Sequence, residues 1–171
     1  GRTGAATARS ELLTEAAEAA PNDAAKVGLL MKAVGAAAGA PRRRLEDTPK
    51  LAKAARLLAD LGSREQAASV IAEHLVRIDT RDDAEDDAVP SILDALRVAI
   101  DVQAWSAPEP RSRLADMNWE FVNFRWTQGM NDRRRSLLAA SMQLQDALFE
   151  NGVDKISLKL ARARTRFWLG V

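Results

Sequence analysis

The chain has 171 residues, a formal net charge of +1, one histidine and no cysteine. Those counts exclude disulfides, thiolate catalysis, zinc–thiolate sites and any multi-histidine metal centre, and they give no bulk electrostatic drive toward a polyanion. The length suits one domain with a continuous core, and no apolar run approaches the roughly 18 residues of a membrane span.

Helix signals dominate from the start. Alanine, leucine, arginine and glutamate are frequent, and apolar residues recur at spacings of three and four. A first helix is expected over 7–19, with Leu12, Leu13 and Ala16 on one side. Pro21, Asn22 and Asp23 stop it and cap a second, whose stripe is Val27, Leu30, Met31 and Val34 and whose end is marked by Gly39, Ala40 and Pro41. Thr48-Pro49 is a strong start signal, a capping hydroxyl followed by proline at the first helical position. That third helix carries Leu51, Ala54, Ala55 and Leu58 and stops at Gly62. Ser63 caps a fourth, predicted to bury Ala67, Val70, Ile71, His74, Leu75 and Ile78.

An acidic break, "DTRDDAEDDA" over 79–88, separates this from a helix expected to begin at Pro90 and to bury Ile92, Leu93, Leu96, Ala99 and Ile100. "SAPEP", 106–110, reads as a loop because two prolines flank Glu109. Helices are then expected over 111–128, 132–149 and 153–169, with turns at Gly129 and at Asn151-Gly152. The stretch "WEFVNFRWT", 119–127, has high strand propensity, but strict alternation fails. On a helix, Leu114, Met117, Phe121 and Phe124 line one face, while Trp119, Val122 and Trp126 line a second. A helix apolar on two faces is sandwiched between neighbours. The fold class is all-α, with about eight helices and short connections.

The two ends differ in character. All eight aromatic residues lie from Trp105 onward. Residues 1–110 hold 14 basic and 18 acidic groups, net −4, and 111–171 hold 11 and 6, net +5. Residues 1–171 are expected to form a single all-helical domain, with an alanine-rich acidic part over 1–88 and an aromatic basic part over 89–171. The opening Gly1-Arg2-Thr3-Gly4 lacks a methionine and an apolar signal core, so it reads as a processed or trimmed end. Nothing marks a compartment, and a cytoplasmic setting is the default.

The segment "LAKAARLLADLGSREQAASVIAEHLVRID", 51–79, resembles a tetratricopeptide-type helix hairpin. Such repeats put small residues where two helices approach closely and larger apolar residues between them. Leu51, Ala55 and Leu58 would sit on the first helix, Gly62 at the turn, and Ala67, Ile71 and Leu75 on the second, with His74 where the pattern favours a small residue. "AARLLADLG" (54–62) and "RARTRFWLG" (162–170) share an alanine–arginine pair and a Leu-Gly ending, spaced by about three repeats. The resemblance implies a stack of hairpins forming a solenoid, cut from a longer array, that docks a peptide or partner protein. It implies no catalysis and no cofactor.

Four features carry functional expectations. In the aromatic stretch, Asn118, Asn123, Arg125 and Trp126 could present polar groups to a partner's backbone from among packed rings, or a stacking platform for single-stranded nucleic acid. Arg133 and Arg134, within the run that ends at Arg135, stand at a helix N-terminus, where the dipole opposes them unless an acidic partner, internal or external, is present. The run Arg42, Arg43 and Arg44 also borders a helix. In the last helix, Lys155, Lys159, Arg162 and Arg166 step by four, three and four into a basic stripe that could receive an acidic peptide. Ile156, Leu160, Ala163 and Phe167 form an apolar stripe beside it that the core is expected to use, which argues against a membrane-surface helix. "DDAED", 82–86, has the form of a diphosphate-binding carboxylate motif but lies in a polar stretch, where a solvated acidic loop is expected. His74, on an apolar face, is expected to be a core histidine, and by itself it can make neither a triad nor a metal site.

The expected function is therefore protein–protein docking on a helical-repeat surface, without enzymatic activity. The rival classes are an accessory helical domain of a larger enzyme, which lacks a nucleophile–base pair or metal cluster here, and a nucleic-acid-binding helical domain, which would need a continuous basic face.

Overall fold

The computed structural model describes residues 2–37, 48–77, 85–117, 119 and 130–171. These residues form eight helices: α1 (Arg2–Glu18), α2 (Asp23–Ala37), α3 (Thr48–Asp60), α4 (Arg64–Arg77), α5 (Glu85–Asp101), α6 (Pro108–Ala115), α7 (Asp132–Glu150) and α8 (Ile156–Leu169). No strand occurs among the described residues. The protein is all-α.

Local chemistry explains most of the boundaries. Asn22 Oδ1 accepts from the Ala25 amide at 2.9 Å, so asparagine caps α2. Asn131 caps α7 in the same way, accepting from the Arg134 amide at 2.9 Å. Gly62 and Gly170 follow α3 and α8 with φ of +85° and +73°, a left-handed conformation that glycine adopts without strain.

Five boundaries differ from expectation; two are simple shifts, since α1 begins at Arg2 rather than at 7 and α8 at Ile156 rather than at 153. α5 runs from Glu85, so Pro90 lies inside it and the acidic segment is helical from Glu85 onward. Carboxylates in a first turn are stabilised by the helix dipole, and a proline close to the start removes a single ladder bond. Residues 108–110 are the first turn of α6 rather than a loop. Pro108 follows the cap residue Ala107, and the first-turn amides have no intrahelical acceptor to lose. The helix expected over 111–128 ends at Ala115, after which Asp116 turns out; 118 and 120–129 lie outside the described residues.

The packing proceeds in rows. α1 packs on α2, and α3 packs on α4 across the turn at 61–63. α3, α5 and α7 follow one another side by side, α4 packs on both α5 and α6, and α8 packs on α7. Small residues make these approaches possible: Ala52, Ala54 and Ala55 on α3 and Ala67, Ala68 and Ala72 on α4 are all buried. Leucines fill the space between, with Leu58, Leu96, Leu137, Leu138 and Leu144 fully enclosed.

Of the residues expected in α4, Ala67, Val70, Ile71, His74 and Leu75 are buried, and Ile78 lies outside the described residues. His74 is a core histidine: Thr48 Oγ1 and His74 Nε2 are 2.8 Å apart, joining the start of α3 to the end of α4. The expected stripes of α1 and α2 are only partly used. Of the α1 stripe, Leu12 and Ala16 are exposed and Leu13 is half-buried, and the buried residue is Ala17 instead; of the α2 stripe, Leu30 is buried, Val27 half-buried and Met31 exposed. Lys53 with Glu18 at 2.5 Å adds an ion pair between α1 and α3, which at such exposure contributes little.

α7 contains one costly arrangement. The Gln145 side chain is fully buried, and neither its Nε2 nor its Oε1 has a hydrogen-bond partner among the described residues. A buried amide left unmatched costs about 1–3 kcal/mol. Gln145→Met, which keeps the chain length and removes the polar atoms, is therefore expected to raise the urea-unfolding free energy by about 1 kcal/mol or more. A loss of stability would show that the amide is matched in solution.

Candidate partner-docking face

α8 has 14 residues and is apolar on two opposite sides. At about 100° per residue, Leu158, Ala161 and Thr165 share one face, and all three are buried. Thr165 belongs there because its hydroxyl donates to the Ala161 carbonyl at 2.8 Å, satisfying its polar group within the helix. Ile156, Leu160, Ala163 and Phe167 share the other face, roughly half a turn away. Ile156 is 78% exposed, Leu160 52% and Phe167 77%.

This corrects the expectation that the 156/160/163/167 stripe packs into the core. The domain uses the face with smaller residues and leaves the larger ones outward. Trp168, edge-on to Phe167 with ring centroids 5.6 Å apart, is half-exposed and widens the outward apolar surface at the C-terminal end.

The basic stripe runs along one flank of that surface, and its charges are already engaged. Lys155 donates to Asp116 and Lys159 pairs with Asp154. Arg162 Nε donates to Asp146 Oδ1 at 2.9 Å, and Arg166 reaches both oxygens of the same carboxylate at 3.2 Å. The Arg162 guanidinium also lies 4.1 Å from the centroid of the Phe149 ring, a cation–π geometry. These contacts tie α8 to α7 and to the end of α6. The stripe is thus part of what positions α8, as well as a source of surface charge. On the other flank stands Arg164, exposed and with no ion pair among the described residues.

Of the remaining candidate partner-binding residues only Arg133 and Arg134 are described. Arg133 is exposed but Arg134 is 2% exposed, so its side chain is withdrawn from any external partner. Asn118, Asn123, Arg125 and Trp126 lie outside the described residues, as do Phe121, Phe124 and the run at 42–44. Trp119 is described and is buried in the same core as Leu114 and Met117, but not from a second face of a helix as expected, since the helix ends at Ala115 and the backbone at Trp119 is not helical. Residues 82–84 of the acidic motif also lie outside the description. No cluster of three metal-ligating groups and no helix long and apolar enough to cross a membrane occurs among the described residues.

A cleft between the α1–α2 pair and α3, lined by Ala17, Leu30, Leu57 and Leu61 with Glu18, Lys26 and Asp60 at its rim, holds 210 Å³. Small-molecule sites run to roughly 300–1,000 Å³ and carry convergent polar groups, so this cleft is a packing gap between helices.

No protein-family model, curated protein or solved structure matches the chain.

Proposed function

We propose that the chain is a non-catalytic protein-interaction module, a stack of tetratricopeptide-like helical hairpins that docks a partner protein or peptide. The observation that carries this is the outward apolar face of α8, opposite the face by which the helix packs on the domain. Contiguous exposed apolar surface of this kind marks an interaction site more often than it decorates a monomer. Support for the stacked architecture comes from the succession of α3, α5 and α7, with α4 on α6 beside it, which is how consecutive hairpins layer. The α3–α4 pair adds the small-residue contact and glycine turn of such a hairpin.

Affinity capture from an extract, comparing the wild type with Leu160→Ser/Phe167→Ser, tests the reading. Both side chains are exposed, so the variant stays folded and loses the partners that dock on α8. Retention of every partner at wild-type levels would remove α8 from the docking surface.

A further inference from the structure

The outward face of α8 has the geometry of a coiled-coil seam. Ile156, Leu160, Ala163 and Phe167 are separated by four, three and four residues, which is the alternation of d and a positions in a heptad. In that register Lys159 and Arg166 occupy g positions, and Ser157 and Arg164 occupy e positions. The b, c and f positions hold Leu158, Ala161, Arg162, Thr165, Trp168 and Leu169; of these Leu158, Ala161 and Thr165 are buried against the domain, Arg162 and Leu169 are half-buried and Trp168 is half-exposed. The helix is therefore anchored by its back, and its seam points outward. All three charged flanking positions are basic, and α8 contains no acidic residue.

From this, and resting on the docking role assigned above to the same face, we infer that α8 receives an acidic amphipathic helix from a partner protein. That helix places apolar residues at seam spacing and glutamate or aspartate at its own flanking positions. Charges at e and g decide partner choice in such pairings. A second copy of this chain is disfavoured, because two α8 seams would set lysine and arginine against lysine and arginine. Charge separates a helix from a membrane. The seam residues Ile156, Leu160, Ala163 and Phe167 lie within about 60° of the helix circumference at 100° per residue, between Lys159 and Arg164, and half-exposed Trp168 lies beyond Arg164. Asp154 and Asp116, paired with Lys159 and Lys155, set negative charge near the seam, which anionic headgroups disfavour. A partner helix can place its carboxylates against Arg164, which is exposed and has no ion pair among the described residues, and away from those aspartates.

The test uses the whole 171-residue chain and two synthetic helices about three heptads long. Both carry leucine at the seam; one has glutamate at every flanking position and the other lysine. Fluorescence anisotropy is expected to give at least about tenfold tighter binding of the glutamate helix, since opposed like charges carry the discrimination. Lys159→Glu/Arg164→Glu, both at exposed positions, is expected to reverse that preference, and Leu160→Ser to weaken binding of either helix at least about tenfold. Equal affinity for the two helices, no reversal in the charge variant, or no binding of either overturns the acidic-helix assignment. Concentration-dependent dimerisation abolished by Leu160→Ser would overturn it in favour of a second copy. Adsorption to phosphatidylserine–phosphatidylcholine vesicles without discrimination between the helices would overturn it in favour of a lipid surface. Failure here with continued loss of captured partners in Leu160→Ser/Phe167→Ser would leave the docking face in place and refute only the partner's chemistry.

Discussion

Trp119→Ala is expected to cost about 3–5 kcal/mol of unfolding free energy, the range for truncating a large buried ring. Trp119 is 5% exposed and belongs to the same buried cluster as Leu114, Met117, Leu137 and Leu144. Its removal strips dispersion contacts from the ring's surroundings and leaves a cavity that helices fixed by several neighbours cannot fully close. Urea denaturation followed by circular dichroism measures the effect. The same variant decides between the two ways of reading an aromatic, arginine-containing stretch. A cost near zero would place this ring at the surface and restore a base-stacking role. A large loss makes Trp119 a structural residue and moves the functional surface elsewhere.

The second large effect is expected at Leu96, fully buried on α5. α5 packs against α3, α4 and α7, so it joins the two hairpin regions of the domain. Leu96→Ala is expected to cost about 2–5 kcal/mol, with one cooperative transition and an unchanged denaturant slope. Uncoupled melting of the α3–α4 and α7–α8 regions would show that α5 does not integrate the core as this packing requires.

The sequence was most legible where helix boundaries had local chemical causes. Asn22, Asn131 and the glycines at 62 and 170 act through one or two adjacent peptide groups, so their effect is visible without tertiary information. The interior of α4 was legible for a related reason. Ala67, Val70, Ile71, His74 and Leu75 make a single apolar face with no competitor. Proline was the weaker guide, since Pro90 and Pro108–Pro110 chemistry depends on how far into a helix each ring falls. A proline ring such as that of Pro90 is compatible with a helix start, but it is equally tolerated a turn or so inside one, and α5 includes the residues from Glu85 onward.

α8 was the least legible element for its function. Its largest apolar residues sit on one face, and size alone assigns that face to the core. Tertiary packing instead selected Leu158, Ala161 and Thr165, where small side chains and an internally bonded hydroxyl allow α7 to approach. Thr165 carries no apolar signal in the sequence. Arg164 carries no signal of its own in the sequence, because the regular spacing of the basic residues at 155, 159, 162 and 166 defines the opposite flank. That stripe is held by Asp116, Asp146 and Asp154, partners distant enough in sequence or on other elements that only the fold brings most of them into place.

Whether the outward face of α8 lies outside the fold is decided by the unfolding free energy of the variant Ile156→Ser/Leu160→Ser/Phe167→Ser, taken by urea denaturation beside the wild type. A face that belongs to a docking surface contributes little to the isolated fold, so each substitution is expected to stay within about 0.5 kcal/mol. The three together should leave the midpoint nearly unchanged. A combined loss of several kcal/mol, comparable to that of Trp119→Ala, would place the stripe inside the fold and contradict the account.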